Sequence, residues 1–98
     1  IRDRWDMGRY ADARDLDQDT LDRNRRLLGD NHPDTLTSAG SLAADLHRLG
    51  VVQAARDLNQ DTLDRRRRVL GPDHPDTLRS ANNLAAELRA LGKDDDGS

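Results

Sequence analysis

The chain is written twice. Residues 9–50 laid over residues 51–92 agree at 27 of 42 positions. One recurring stretch, with two residues changed, is Leu70-Gly71-Pro72-Asp73-His74-Pro75-Asp76-Thr77-Leu78. It stands earlier as Leu28-Gly29-Asp30-Asn31-His32-Pro33-Asp34-Thr35-Leu36. A repeat of this length restricts the fold more than any local pattern does. One supersecondary unit recurs, and each copy buries its apolar face mainly against its neighbours.

The unit is helical. Over residues 9–28, Ala13, Leu16, Thr20, Leu21, Leu27 and Leu28 fall at spacings near three and four, which is one helix face. Leu36, Ala39, Leu42, Ala43, Leu46 and Leu49 do the same over 33–49, and Val52, Ala55, Leu58, Thr62, Leu63, Val69 and Leu70 over 51–70. Leu78, Ala81, Leu84, Ala85, Leu88 and Leu91 repeat the stripe over 75–91. Period-two alternation is absent, so no strand is expected. Asp residues gather early in residues 9–28 and Arg residues late, an order that complements the helix dipole. Asp19–Arg23, Asp22–Arg26, Asp61–Arg65 and Asp64–Arg68 have the spacing of side-chain pairs.

Punctuation sets the boundaries. Gly8, Gly50 and Gly92 each follow an apolar helix end and read as helix stops. Asn31 and Asp73 read as N-caps, with Pro33 and Pro75 in the first turn, where a missing N–H costs nothing. The expected organisation is an all-α solenoid of antiparallel helix pairs, about two repeats plus a partial one. It divides into a partial repeat over 1–32, a repeat over 33–74, a partial repeat over 75–92 and an unstructured tail over 93–98. The chain opens at Ile1 without Met and reads as a piece of a longer protein.

Composition removes several function classes. There is no Cys and no Phe, and Trp5 and Tyr10 are single. Disulfides and thiolate metal sites are excluded. A net charge of −3 argues against nucleic acid and anionic membranes. No apolar run reaches the roughly 20 residues of a membrane span. With no signal peptide visible, a cytoplasmic location is expected. The Arg-rich, Lys-poor balance hints at a GC-rich bacterial genome.

Candidate chemistry is thin. His32 and His74 recur one repeat apart, too far to share a metal, and read as connector residues. Arg65-Arg66-Arg67-Arg68 reads as a solvated helix face paired with the acids before it. Thr20 and Thr62 are expected to bond back to helix carbonyls. No acid pair is expected in a setting that raises a pKa. There is no phosphate loop, zinc motif or nucleophile elbow. No enzyme, cofactor or metal site is expected.

With Leu-Gly-x-x-His-Pro-Asp-Thr-Leu twice, Asn82-Asn83-Leu84-Ala85, Leu91-Gly92, and Tyr10 and Ala13 after Gly8, the chain resembles a tetratricopeptide repeat array. It is similar to the 42-residue variety found in kinesin light chains and many bacterial regulatory proteins. The resemblance implies a concave groove lined by the first helix of each pair, binding a protein or peptide. Groove positions carried over are Trp5, Thr37, Gly40, Ala44, His47, Arg48, Arg79, Asn82, Ala86, Arg89 and Ala90. Arg48, Arg79 and Arg89 would favour an acidic or carboxylate-ended ligand. In such arrays an Asn such as Asn82 holds the peptide backbone; the other copy has Gly40 there.

Val51-Val52 replaces the Arg9-Tyr10 pattern after the turn glycine. Two arrangements stay open: a turn at Gly50, or one helix over 34–70 whose pairing another molecule completes. The stripe Leu78, Leu84, Leu88 has no following helix to cover it. A homo-oligomer is therefore expected, by end-to-end stacking or by domain swapping about Gly50, Val51 and Val52. Two alternatives to peptide binding remain: a self-associating repeat fragment, and a regulatory arm of a larger signalling ATPase.

Overall fold

A computed structural model describes the backbone of residues 4–95 and the side chains of residues 8–92. Four helices follow in order: α1 (Arg4–Leu28), α2 (Pro33–Arg48), α3 (Val52–Val69) and α4 (Pro75–Asp95). No strand occurs among the described residues. Each helix packs on the next one in sequence, which makes a solenoid of helix pairs.

The first pair meets through Leu21 of α1 and Ala39 and Leu42 of α2, with Leu46 and Leu58 packed against them. Leu36, Ala43, Ala55, Leu63 and Leu84 are also buried. A fully buried Leu contributes about 1.5–3 kcal/mol. Ala at 39, 43 and 55 keeps the helix axes close. Several expected core positions stay outside: Leu16, Leu27 and Leu28 of α1 are exposed, as are Leu78 and Leu88 of α4. Leu84 is buried, so the open stripe on α4 is Leu78 and Leu88 rather than all three.

Gly50 decides between the two arrangements left open by the sequence. Its φ is +86°, the left-handed conformation that glycine adopts without strain. The Val51 N–H donates to the Leu46 carbonyl at 2.9 Å and the Gly50 N–H to the His47 carbonyl at 3.0 Å. Those two bonds make a Schellman motif. Residues 34–70 are therefore two helices. The Val51-Val52 pair had suggested continuation, but a Schellman turn accepts an apolar residue just after its glycine. Val51 fills that position, and α3 starts at Val52.

Gly8 and Gly92 do not stop helices. α1 runs through Gly8 and α4 through Gly92. Neither has a positive φ, unlike Gly50. A glycine within a helix costs only about 1 kcal/mol, and at neither place does a described helix fold back to repay a turn. α4 continues to Asp95, three residues into the expected unstructured tail; residues 96–98 lie outside the described residues.

The two connectors are built alike, and histidine caps them. His32 is the N-cap of α2, and its Nδ1 accepts from the Asp34 N–H at 3.1 Å. His74 does the same for the Asp76 N–H at 3.0 Å. The expected cap Asn31 sits one residue too early. Its Oδ1 instead accepts from Arg65 of α3 at 2.8 Å.

The two glycine types are expected to respond with opposite signs. Gly50→Ala should lower stability by about 1–2 kcal/mol, the cost of a left-handed non-glycine residue. Gly8→Ala should raise it by up to about 1 kcal/mol, because an added Cβ there meets nothing within 4 Å. Urea unfolding of the two variants measures both; a stabilising Gly50→Ala would revive the long helix.

Candidate functional site: a cleft between the first and second repeats

Gly40, Ala44, His47 and Arg48 recur along one face of α2. Asn83, Ala86 and Glu87 face them from α4, and Asn59 of α3 also lines the space. Together they enclose a cleft of about 210 Å³. It exists because Gly40, Ala44 and Ala86 have little or no side chain. Glu87 is buried, which requires partners. The His47 Nδ1–H donates to Glu87 Oε2 at 2.6 Å, and Asn59 Nδ2 donates to Glu87 Oε1 at 3.5 Å. This charge-assisted pair ties α2 to α4 across α3.

A second cleft, of about 290 Å³, lies beside it. Arg9, Tyr10 and Ala13 of α1 and Asp45 and Arg48 of α2 line it. Arg48 belongs to both clefts. Its guanidinium stands 5.6 Å from the centre of the Tyr10 ring and 3.9 Å from Asp45 Oδ1. Asp45 is buried and faces Asp17 of α1, carboxyl to carboxyl. Burial pushes its carboxyl up to about 6; the hydrogen bond to Asp17 and the charge of Asp17 add to this, and Arg48 opposes them. An acid pair with a raised pKa therefore exists, contrary to expectation. Its members sit 28 residues apart, and only the packing of α1 on α2 joins them.

Of the expected groove residues, Gly40, Ala44, His47, Arg48 and Ala86 share the first cleft. Thr37, Arg79, Asn82 and Arg89 are exposed and outside it. Ala90 also lies outside it. Arg79 stands 4.0 Å from Asp76 instead. Asn83 rather than Asn82 lines the cleft. The Trp5 side chain lies outside the described residues. Sequence reasoning missed Asn59, Asn83 and Glu87. The signal was available: all three stand where the two copies differ, opposite Asp17, Ser41 and Asp45.

The arginine run is not one solvated face. Arg66 is buried; it donates to Ser80 Oγ at 2.7 Å and to the Asp76 carbonyl at 3.3 Å. Burial lowers its pKa, while the charge of Asp76 opposes that. Asn24 does the same work in the first copy, donating to Ser38 Oγ at 2.8 Å. Arg65 pairs with Asp61 at 2.9 Å. The expected Asp64–Arg68 and Asp22–Arg26 pairs do not form, because Gln60 and Gln18 donate to Asp64 and Asp22 instead. Thr62 Oγ1 is buried without a partner rather than bonded back to its helix. No group of three or more His, Asp or Glu side chains among the described residues could hold a metal ion. No helix among them is long and apolar enough to cross a membrane.

A family model described as tetratricopeptide repeat matches residues 5–34 and 35–76. No curated protein matches the chain in a sequence search.

The raised carboxyl gives a signed pH dependence. From about pH 4 to 6 the folded chain holds the Asp45 proton more tightly than the unfolded chain does. The stability it contributes is present at low pH and lost as pH rises through about 6. Asp45→Asn is expected to stabilise the fold at pH 7, by on the order of 2 kcal/mol. It should also flatten the fall in stability between pH 4 and 6.5 in urea unfolding. An unchanged pH profile would rule the acid pair out.

Proposed function

The chain belongs to the tetratricopeptide repeat family, whose repeats generally mediate protein–protein interaction, and from that premise we propose that the cleft between α2 and α4 holds a short segment of another protein. The supporting observation is the row Gly40, Ala44 and Ala86 above the His47–Glu87–Asn59 floor. Small side chains leave room for an extended backbone. The amides of Asn83 and Asn59 offer it donors and acceptors. In this reading the chain is of the kinesin-light-chain-like, 42-residue kind.

The chemistry of the rim selects the segment. His47 is committed to Glu87 through Nδ1. Arg48 adds a cation at the edge shared with the second cleft. A carboxylate, from an acidic side chain or a chain terminus, is the complementary group. Arg79 and Arg89 lie outside the cleft and drop out of ligand selection.

Self-association is a second reading, and it uses a different surface. Leu16 of α1 is about two-thirds exposed, and Leu78 and Leu88 of α4 are about half exposed. Apolar groups so placed favour a partner.

Fluorescence anisotropy with labelled acidic peptides, free and amidated at the C-terminus, tests the segment-binding reading. Ala86→Arg fills the cleft from an exposed position and is expected to weaken binding at least about tenfold, which is about 1.4 kcal/mol. Arg48→Gln is expected to remove the preference for acidic over neutral peptides. Peptide binding that Ala86→Arg leaves intact would move the site elsewhere.

A further inference from the structure

Arg48 is the cation at the edge of the cleft, and the protein already offers it a carboxyl. Its guanidinium stands 5.6 Å from the centre of the Tyr10 ring and 3.9 Å from Asp45 Oδ1. A separation of about 4 Å is the outer limit of an ion pair. The guanidinium is half-exposed and lines both clefts, while the carboxyl that it approaches is buried. A ligand carboxylate and an Asp45 carboxylate therefore compete for one cation. The outcome turns on whether Asp45 carries a charge.

Geometry makes that charge conditional. Asp45 of α2 and Asp17 of α1 meet carboxyl to carboxyl. Two acids in that position share a proton over a range in which an isolated acid has none, because like charges so close cannot both form freely. The surroundings do little to offset this. The charges that act on Asp45 are Asp17 and Arg48, and Arg9 and Tyr10 of α1 line the same cleft. From α3, Ala55, Asn59, Thr62 and Leu63 are buried and do not titrate. The buried charge of that helix, Arg66, bonds to Ser80 and the Asp76 carbonyl near its C-terminal end. From α4, Glu87 is taken by His47 and Asn59.

We propose that the Asp17–Asp45 pair is a proton-operated gate on Arg48: with one proton on the pair, Arg48 is open to a ligand carboxylate, and once that proton leaves to solvent, Asp45 competes for the guanidinium. The gate rests on the segment-binding reading and adds its regulation. The sign follows from linkage. A carboxylate bound at Arg48 also lies close to Asp45, so binding favours the protonated pair and takes up part of a proton. Affinity is therefore highest below about pH 6 and falls as pH rises through it. The ligand's own carboxylates, with ordinary values of about 4, stay ionised over this window. His47 is the other titratable group at the edge of the first cleft. Its protonation would act in the same direction, so the test has to separate the two.

Fluorescence anisotropy at about pH 5 and about pH 7.5, at fixed ionic strength, uses labelled acidic peptides and counterparts with glutamine in place of glutamate, amidated at the C-terminus. The wild-type chain is expected to bind the acidic peptides about tenfold more tightly at the lower pH, and the neutral ones equally at both. Asp45→Asn can still donate to Asp17 but cannot ionise. It is expected to bind acidic peptides at the higher pH as tightly as the wild type does at the lower, a gain that a partly unfolded variant cannot produce. His47→Gln, whatever its overall affinity, is expected to keep the wild-type ratio between the two pH values. Equal binding of acidic peptides at both pH values overturns the gate. So does an unchanged ratio in Asp45→Asn, or its loss in His47→Gln. Absence of binding at either pH removes the segment-binding reading and the gate with it, whereas binding that ignores pH removes the gate alone.

Discussion

The fold depends on hydrogen bonding between buried and half-buried polar side chains of packed helices. A chain without Phe, whose apolar residues are mostly Leu and Ala, cannot make a thick apolar core. Among the described residues, eight apolar and eight polar or charged side chains are buried. The polar ones are therefore as much the core as the leucines are, and a buried polar group without a partner costs about 1–3 kcal/mol. Asn24 meets Ser38, Arg66 meets Ser80, and Asn59 and His47 meet Glu87. Leu and Ala faces alone would tolerate sliding of one helix on another. These bonds select one register.

The same bonds explain where the two copies differ. Apolar contact positions are kept: Leu21 and Leu63, Leu42 and Leu84, Ala13 and Ala55. Differences gather at polar contact positions, such as Asn24 and Arg66, Asp17 and Asn59, Asp45 and Glu87. Asn24 and Arg66 show that this need not change the architecture. Each reaches the corresponding serine and carbonyl on its following helix, and the longer arginine does so from a buried position. Asp17 with Asp45 shows the opposite case. Two acids replace an amide and an acid, and one carboxyl is pushed up to about 6, by its burial first and by the neighbouring acid second.

What was legible in the sequence was what local chemistry decides. The 42-residue period, the apolar stripes of α2 and α3, the prolines at both helix starts and the stop at Gly50 could all be read before any coordinates. Local chemistry also misled where a neighbour had the last word. Asn31 is a better cap by type than His32, but the connector turn puts the imidazole within reach of the first-turn N–H and hands Asn31 to Arg65. Gly8 and Gly50 look equivalent in sequence, yet α1 runs through Gly8 while Gly50 turns the chain with a positive φ. Arg66 lies within a run of four arginines, yet α4 covers it alone. Of the cleft, the α2 residues and Ala86 follow from the family pattern. Asn59, Asn83 and Glu87 do not, because their roles arise from residues 28 to 40 positions distant.

Gly40 ties these points to the surface. It lies in the middle of α2, where glycine costs about 1 kcal/mol relative to alanine. Its backbone does not require glycine, since its φ is not positive. Packing does not require it either, because a Cβ there would meet nothing within 4 Å. What its hydrogen does is lower one wall of the cleft, opposite Ala86 and above the His47–Glu87 bond. Asn82, its counterpart in α4, lies outside the cleft. The two copies thus use one helix geometry for different ends: α2 shapes an opening, and α4 presents Leu78, Leu88 and Arg89 outward. Near-identical sequences present unlike surfaces here because Gly40, His47 and Arg48 of α2 stand where α4 has Asn82, Arg89 and Ala90.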